Sequence, residues 1–408
     1  MSWPIVTLND VAEIQGGIQK QPKRTPKVNK FPFLRVANVT SGGLDTTDLH
    51  EVELFEGEIE RYRLQDGDLL VVEGNGSPKQ IGRAAVWDAS VANAVHQNHL
   101  IRVRPVEDLD SKFLGLLWNS PAIRDELTRV ASSTSGLLTL SVSKLKHIAF
   151  PLPPLDEQHR IVTLLEDHLS RLDAANSYIK AARQREQTLL ECLLAREIAT
   201  VHHEEVPIGS LIVDGLTNGK SVPTQEDGFP VLRLTAIKGG RIDLTEYKCG
   251  AWSATDANRY LVECGDFLVS RGNGSLRLVG RGGLVTDEPA PVAFPDTMIR
   301  IRADAERLKP EFLALVWNSK IVRNQIESVA RTTAGIYKIN QKDLAALRIP
   351  LPSLSDQMEV LTRLDWIKRS LVPLRDAAER SEIRSNGLRR SLLKHAFSSD
   401  YKAFAWPT

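Results

Sequence analysis

The stretch PLPPLDEQHRIV occupies residues 151–162, and PLPSLSDQMEVL occupies residues 350–361. Each uses prolines to end an extended element, then places acid, then begins an apolar pattern at helical spacing. Asp156 and Glu157 fall in a first helical turn, where carboxylates favour the helix dipole. The same punctuation 199 residues apart predicts a duplicated unit.

Sliding the sequence against itself by 198 residues bears this out. FPFLRVANVTSGGLD (31–45) falls on FPVLRLTAIKGGRID (229–243), and GDLLVVEGNGS (67–77) falls on GDFLVSRGNGS (265–275). Residues 31–104 carry 23 identities in 74 positions without a gap. The register then moves by one, setting FLGLLWNS (113–120) on FLALVWNS (312–319). The period is too long and the copies too few for a solenoid.

Each copy has two parts. The first mixes short β-branched or alternating runs (FLRVANV, DLLVV, LIRVR) with Gly-rich turns and one helix-like run, FLGLLWNSPAIRDELTRVA. The second is a long helix. Ile161, Leu165, His168, Leu172, Ala175, Ile179, Ala182, Glu186, Leu189 and Leu193 follow a 3-4 alternation, eight of ten apolar. In the second copy Val360, Leu364, Ile367, Leu371, Leu374, Ala378, Ser381, Ser385, Leu388 and Leu392 do the same.

The predicted fold is α+β: two similar α/β domains (1–150 and 201–349) separated by two long spacer helices (151–200, and 350–408 with a C-terminal tail). Each helix has one apolar stripe and needs a partner, so the two are expected to pack as an antiparallel coiled coil with pseudo-two-fold symmetry. Packing of each helix on its own domain is the alternative. Pro373 should kink the second helix or mark a restart.

Composition is that of an ordinary water-soluble protein, 408 residues long with 42% hydrophobic and 25% charged residues. No apolar run approaches the roughly 18–20 residues that span a bilayer, and the start MSWPIVTLNDVAEI has no secretion-signal pattern. Cys192, Cys249 and Cys264 make neither a disulfide framework nor metal spacing, and a reducing cytoplasm is expected. A net charge of +1 decides nothing about nucleic acid.

Catalytic motifs are missing. DGLTNGKS (214–221) puts Asp214 where a phosphate-binding loop needs glycine, and reads as a turn. His202-His203-Glu204-Glu205 lacks metal spacing and reads as a solvated linker between units. Asp110-Ser111-Lys112 sits in a polar connection, and no Asn-Pro-Pro-Tyr or Asp-Pro-Pro-Tyr methyltransferase run occurs. The readings are therefore no catalytic residue and no metal. Basic character is local: Ile14 to Leu44 carries Lys20, Lys23, Arg24, Lys27, Lys30 and Arg35 with no acid, and Arg271, Arg277 and Arg281 surround the second GNGS. In a chain without catalytic residues these are candidate phosphate- and base-contacting groups.

The paired PLPPLDEQ-type helix starts, the repeated GDLLV…GNGS…GR core and the closing LRRSLLKHAFSSDY resemble the specificity (S) subunits of Type I restriction–modification enzymes. The resemblance covers essentially the whole chain. It implies two target-recognition domains, each reading one half of a bipartite, asymmetric site in double-stranded DNA. It implies helices that act as ruler and docking surface for two modification (M) subunits. Those subunits would hold S-adenosylmethionine and methylate adenine, with restriction (R) subunits joining where present; this chain would need no cofactor.

Candidate DNA contacts in the first domain are Lys20, Lys23, Arg24, Lys27, Glu73, Asn75, Ser77, Lys79, Ser133 and Thr134. Those in the second are Arg271, Asn273, Ser275, Arg277, Arg281, Thr333, Tyr337 and Lys338. Candidates for helix pairing and subunit docking are Ile161, Leu165, Leu172, Ile179, Leu189, Leu193, Val360, Leu364, Leu371, Leu388 and Leu392. At aligned positions Glu73 faces Arg271, and SSTSGLLTL (132–140) faces RTTAGIYKI (331–339). One frame with changed polar groups is what two readers of different base sequences require.

Overall fold

The apolar runs near the centre of each copy form four antiparallel neighbouring strands, extended in the second copy by Arg241–Ile242 and Ile237–Lys238. In the first copy the order is Ala12–Gly16, Leu100–Pro105, Leu69–Val72, Ala84–Val86, with Leu70 opposite Arg102. In the second, Thr217–Asn218, Met298–Ile301, Phe267–Ser270 and Gly282–Leu284 repeat that order, with Leu268 opposite Arg300. The structure is a computed structural model describing residues 3–40, 43–77, 80–134, 137–333 and 335–397.

The repeated Gly-Asp that opens the central strand has a physical reason at both positions. Gly67 and Gly265 adopt φ of 84° and 89°, a region unfavourable for other residues. Asp68 is buried and accepts two hydrogen bonds from Arg104 at 2.7 Å and one from the Gln65 N–H at 2.8 Å. Asp266 does the same with Arg302 (2.7 and 3.0 Å) and the Glu263 N–H (2.8 Å).

The run read as one helix is two, Ser111–Trp118 and Pro121–Val130. Ser120 caps the second through its side chain and Pro121 occupies its first turn, so the chain restarts there. Phe113, Leu114, Leu117 and Trp118 are buried in the core, as are Phe312, Leu313, Val316 and Trp317 in the second copy. The indole N–H of Trp118 donates to the Gly82 carbonyl at 2.9 Å, and that of Trp317 to Gly280 at 2.9 Å.

The chain divides into two units, Met1–Ile179 with Ala378–Thr408, and Lys180–Ala377. Both divisions fall inside the long helices Leu155–Thr200 and Leu354–Ala396. Each domain therefore carries the start of one long helix and the end of the other. In the first unit Ile161, Leu165 and Leu169 join Leu392, Leu393 and Phe397 in one core, with the Phe113 and Phe397 rings 5.4 Å apart edge to face. In the second, Leu194 and Ile198 join Val360 and Leu364. Helix-on-helix and helix-on-domain packing thus occur together. In the second unit Glu186 pairs with Arg375 and Glu197 with Arg363, rising numbers against falling ones, which is an antiparallel pair. Asp173 and Arg389 pair in the first.

One side chain at each helix start explains the Pro-Leu-Pro-x-Leu-x-x-Gln signature. Gln158 is fully buried; its Oε1 accepts from the Asp110 N–H at 2.9 Å, and its Nε2 donates to the Asp108 and Pro153 carbonyls, both at 2.8 Å. Gln357 repeats this with Lys309 N–H (2.9 Å), Arg307 (2.9 Å) and Pro352 (3.0 Å).

Three expectations are corrected. Leu189 and Leu388 lie outside the packed stripe, 47% and 44% exposed, as does Leu374 at 54%. The stripe runs through Leu169, Asn176, Leu190 and Leu194 on the first helix and Glu382, Ser385 and Arg389 on the second, because successive steps of four move it one residue off a strict 3-4 alternation. Leu172, Ile179, Leu193 and Leu371 are half-buried. Of the segment read as a linker, residues 202–205, all but His202 lies in a strand, His203–Pro207, paired antiparallel with Arg348–Pro352, matching Ile5–Thr7 with Ala149–Pro151 in the first unit. The second long helix does not restart at Pro373 but continues through it, and the residue is exposed, so water can reach the carbonyl it leaves unbonded.

Replacing Gln158 or Gln357 with Leu strands one N–H and two carbonyls in the core. It should destabilise its unit by about 2–4 kcal/mol, seen as a lower thermal midpoint of the purified protein. A pH effect is expected from His96. Burial first, and the Arg102 charge second, hold its pKa down at about 3 from 6.5. The unfolded chain then binds a proton that the folded one does not. Stability should fall as pH drops from about 6.5 towards 3, by at most about 1.4 kcal/mol per pH unit. Phe294 stands at the matching place in the second copy, so His96→Phe should flatten this acid limb in pH-dependent melting.

Candidate nucleic-acid interface

The GNGS loop and the later polar run, remote in sequence, form one structure in each unit. Gly74–Asn75 pairs with Leu137–Thr139, which pairs with Ser132–Thr134; Gly272–Asn273 pairs with Ile336–Lys338, which pairs with Arg331–Thr333. These are two matching three-stranded ribbons. Asn75 Oδ1 accepts from the Ser77 N–H at 2.9 Å, and Asn273 Oδ1 from the Ser275 N–H at 3.0 Å, so each asparagine shapes its own turn.

Opposite charges occupy one backbone place. Glu73 donates its N–H to the His99 carbonyl and accepts from Leu140; Arg271 donates to the Thr297 carbonyl and accepts from Ile339. The Glu73 carboxylate lies 3.0 Å from His99 Nδ1, whereas the Arg271 guanidinium is exposed and reaches the Asp296 carbonyl at 3.5 Å. Arg277 and Lys338 are exposed, and Tyr337 is half-buried against the core. Asn273 and Arg281 line a cleft of about 1330 Å³ between the second domain and the long-helix segments of its own unit, with Arg241 and Lys368 also on its wall. Lys79 lies outside the described residues, as do the side chains of Ser133, Thr134 and Thr333.

The basic segment of the first domain is a fastened loop. Glu53 accepts the N–H groups of Lys27 (2.6 Å), Val28 (3.1 Å) and Asn29 (3.0 Å), and the Asn29 and Lys27 bonds hold its pKa below the usual carboxylate value. Arg24 turns inward: it makes two 2.7 Å bonds to Glu58, lies 4.8 Å from the Phe55 ring centre, and keeps the Glu58 pKa low. Lys20, Lys23, Lys27 and Lys30 are left exposed. The matching segment of the second copy, NGKSVPTQEDG (218–228), has one lysine and two acids. Composition alone reveals this cluster but not Glu53 and Glu58, which signal only through distant pairing. Nor does it reveal Lys144, whose Nζ reaches Ser132 Oγ. Among the described residues, no group of three or more His, Cys, Asp or Glu is placed to hold a metal ion.

The sequence family described as Type I restriction modification DNA specificity domain matches residues 2–182 and 212–376. The chain belongs to this family. It is 24% identical over 429 residues to the Type I restriction enzyme EcoKI specificity subunit of Escherichia coli K12, covering 98% of this chain and 89% of that protein. It is 23% identical over 423 residues to the StySPI specificity subunit of Salmonella potsdam, with 98% and 89% covered. A solved chain from work on assembly and conformational transition of the type I R-M system shares the fold, with a TM-score of 0.61, 18% identity and 98% of both chains covered. As a specificity subunit the chain recognises DNA and carries no catalytic role in the system. No helix among the described residues is long and apolar enough to cross a membrane.

Changing Lys20, Lys23 and Lys27 together to Gln, in complex with the methyltransferase subunit, should reduce the slope of log affinity against log salt. The expected drop is about 0.9 for each phosphate left without its lysine. The sequence recognised should stay the same, because phosphate contacts carry no base information.

Proposed function

We propose that the two domains read two different halves of one bipartite, asymmetric DNA site, and that the long helices join them and set the unread spacer. The observation that carries this is the pair Glu73 and Arg271, opposite charges at one backbone place on a duplicated ribbon. Arg suits guanine O6 and N7, and a carboxylate suits cytosine N4, so the exchange supports different base preferences. The groups proposed to meet DNA are Lys20, Lys23, Lys27, Glu73, Ser77, Ser133 and Thr134 in the first domain. In the second they are Arg271, Ser275, Arg277, Arg281, Thr333 and Lys338.

Two M subunits dock on the long helices in this reading. Support comes from apolar side chains the helices leave uncovered, including Tyr178, Trp366 and Ile383 at 77%, 70% and 65% exposure. S-adenosylmethionine then belongs to those M subunits, R subunits join where present, and the assembly works in the cytoplasm.

A four-residue insertion after Ala182 tests the spacer. It adds about 6 Å of helix, against about 3.4 Å per base pair of DNA. Methylome sequencing of cells carrying the variant with its methyltransferase should show both half-sites unchanged and the spacer longer by one or two base pairs. An unchanged spacer, or altered half-sites at the old spacing, contradicts the reading.

A further inference from the structure

Behind the second GNGS ribbon, the loop Leu276–Gly280 is held from beneath by its main chain. Arg323, on the helix Lys320–Val329 and only 7% exposed, donates to the Val279 carbonyl at 2.7 Å and to the Leu276 and Arg277 carbonyls at 3.3 and 3.4 Å. Trp317 takes the next carbonyl, Gly280, at 2.9 Å. Gly280 has φ of 69°, and a Cβ there would lie 2.6 Å from Ile326 on the same helix, so the loop sits directly on its support. With the carbonyls turned inward, the side chains of Arg277 and Leu278 are exposed.

We propose that Arg323 is a positioning residue for DNA recognition, gripping the carbonyls of the Leu276–Val279 segment so that Arg277 is aimed at DNA. The inference rests on the reading that Arg277 contacts DNA. Three acceptors spread over four residues suit a planar guanidinium fork and not a single ammonium. A buried arginine is costly unless its donors are met, which fits the burial-driven lowering of its pKa and its remaining bond to Glu327 at 3.2 Å. In the first unit Arg124 stands at the matching position of Pro121–Val130, and burial lowers its pKa too.

A double-mutant cycle tests the claim, using the complex of this chain with its methyltransferase subunit and duplex DNA carrying the modified motif. Arg277→Ala should weaken specific binding about 5- to 100-fold, as removal of a good base contact does. Arg323→Lys keeps the charge and should weaken it several-fold, but by less than about twofold in the Arg277→Ala background, because it acts through that side chain. Equal weakening in both backgrounds would make Arg323 merely structural and overturn the proposal. Weakening with Arg277→Ala but none with Arg323→Lys overturns the proposal and leaves the DNA contact standing. Full binding with Arg277→Ala removes the contact reading, and the proposal with it. Where Arg323→Lys fails to assemble, Trp317→Phe, which removes only the donor to Gly280, enters the same cycle and its outcomes read the same way.

Discussion

A buried glutamine amide fastens each long helix to the domain that precedes it. Gln158 and Gln357 each accept one main-chain N–H and donate to two carbonyls, one of them from the Pro-rich stretch and the others from the connection ahead of the domain's first core helix. Only a primary amide supplies one acceptor and two donors on one planar head; glutamate lacks the donors and leucine lacks both. The prolines stop the last strand, the amide fixes where the helix leaves, and Ile161 or Val360 one turn later enters the core at full burial. The tilt of the helix against its domain follows from that joint, and with it which residues meet the incoming end of the other long helix.

Much of this is legible in the sequence because it is carried by short-range patterns written twice. The duplication, the strand runs, the Trp-bearing helix and the two long helices all follow from spacing and punctuation. What escapes depends on three-dimensional partners. Periodicity puts Leu189, Leu374 and Leu388 in the stripe along with Glu186, which does pair with Arg375, yet successive steps of four displace it so that Arg389, paired with Asp173, takes part in the helix contact instead of Leu388. His202-His203-Glu204-Glu205 reads as a polar linker, since the edge strand His203–Pro207, with exposed Glu204 and Glu205, has no apolar alternation to reveal it.

The proposed recognition surface is legible in part for the same reason. GNGS and the polar run at 132–140 or 331–339 stand out as aligned and divergent, but only strand pairing joins them into one ribbon. Arg24 counts as one cation among six in composition, whereas Glu58 and Phe55 turn it into a fastening. Arg323 carries no signal, being one charged residue on an amphipathic helix. The two domains therefore share a scaffold of glycine turns, buried Asp–Arg pairs and Trp–carbonyl bonds, while differing in the lysine loop and in charge at residues 73 and 271. In the reading proposed above, shared packing with altered surface chemistry is how one duplicated fold would carry two specificities.

The most direct test of that claim uses a chain in which residues 201–349 stand in place of residues 1–150 as well as in their own position. The long helices can accept it, since Ile161 and Leu165 fill the same role against the first domain as Val360 and Leu364 against the second. Methylome sequencing with the methyltransferase subunit should then find a modified motif built from the original second half-site twice, with the first half-site gone. A motif that keeps the original first half-site would contradict the assignment of one half-site to each domain.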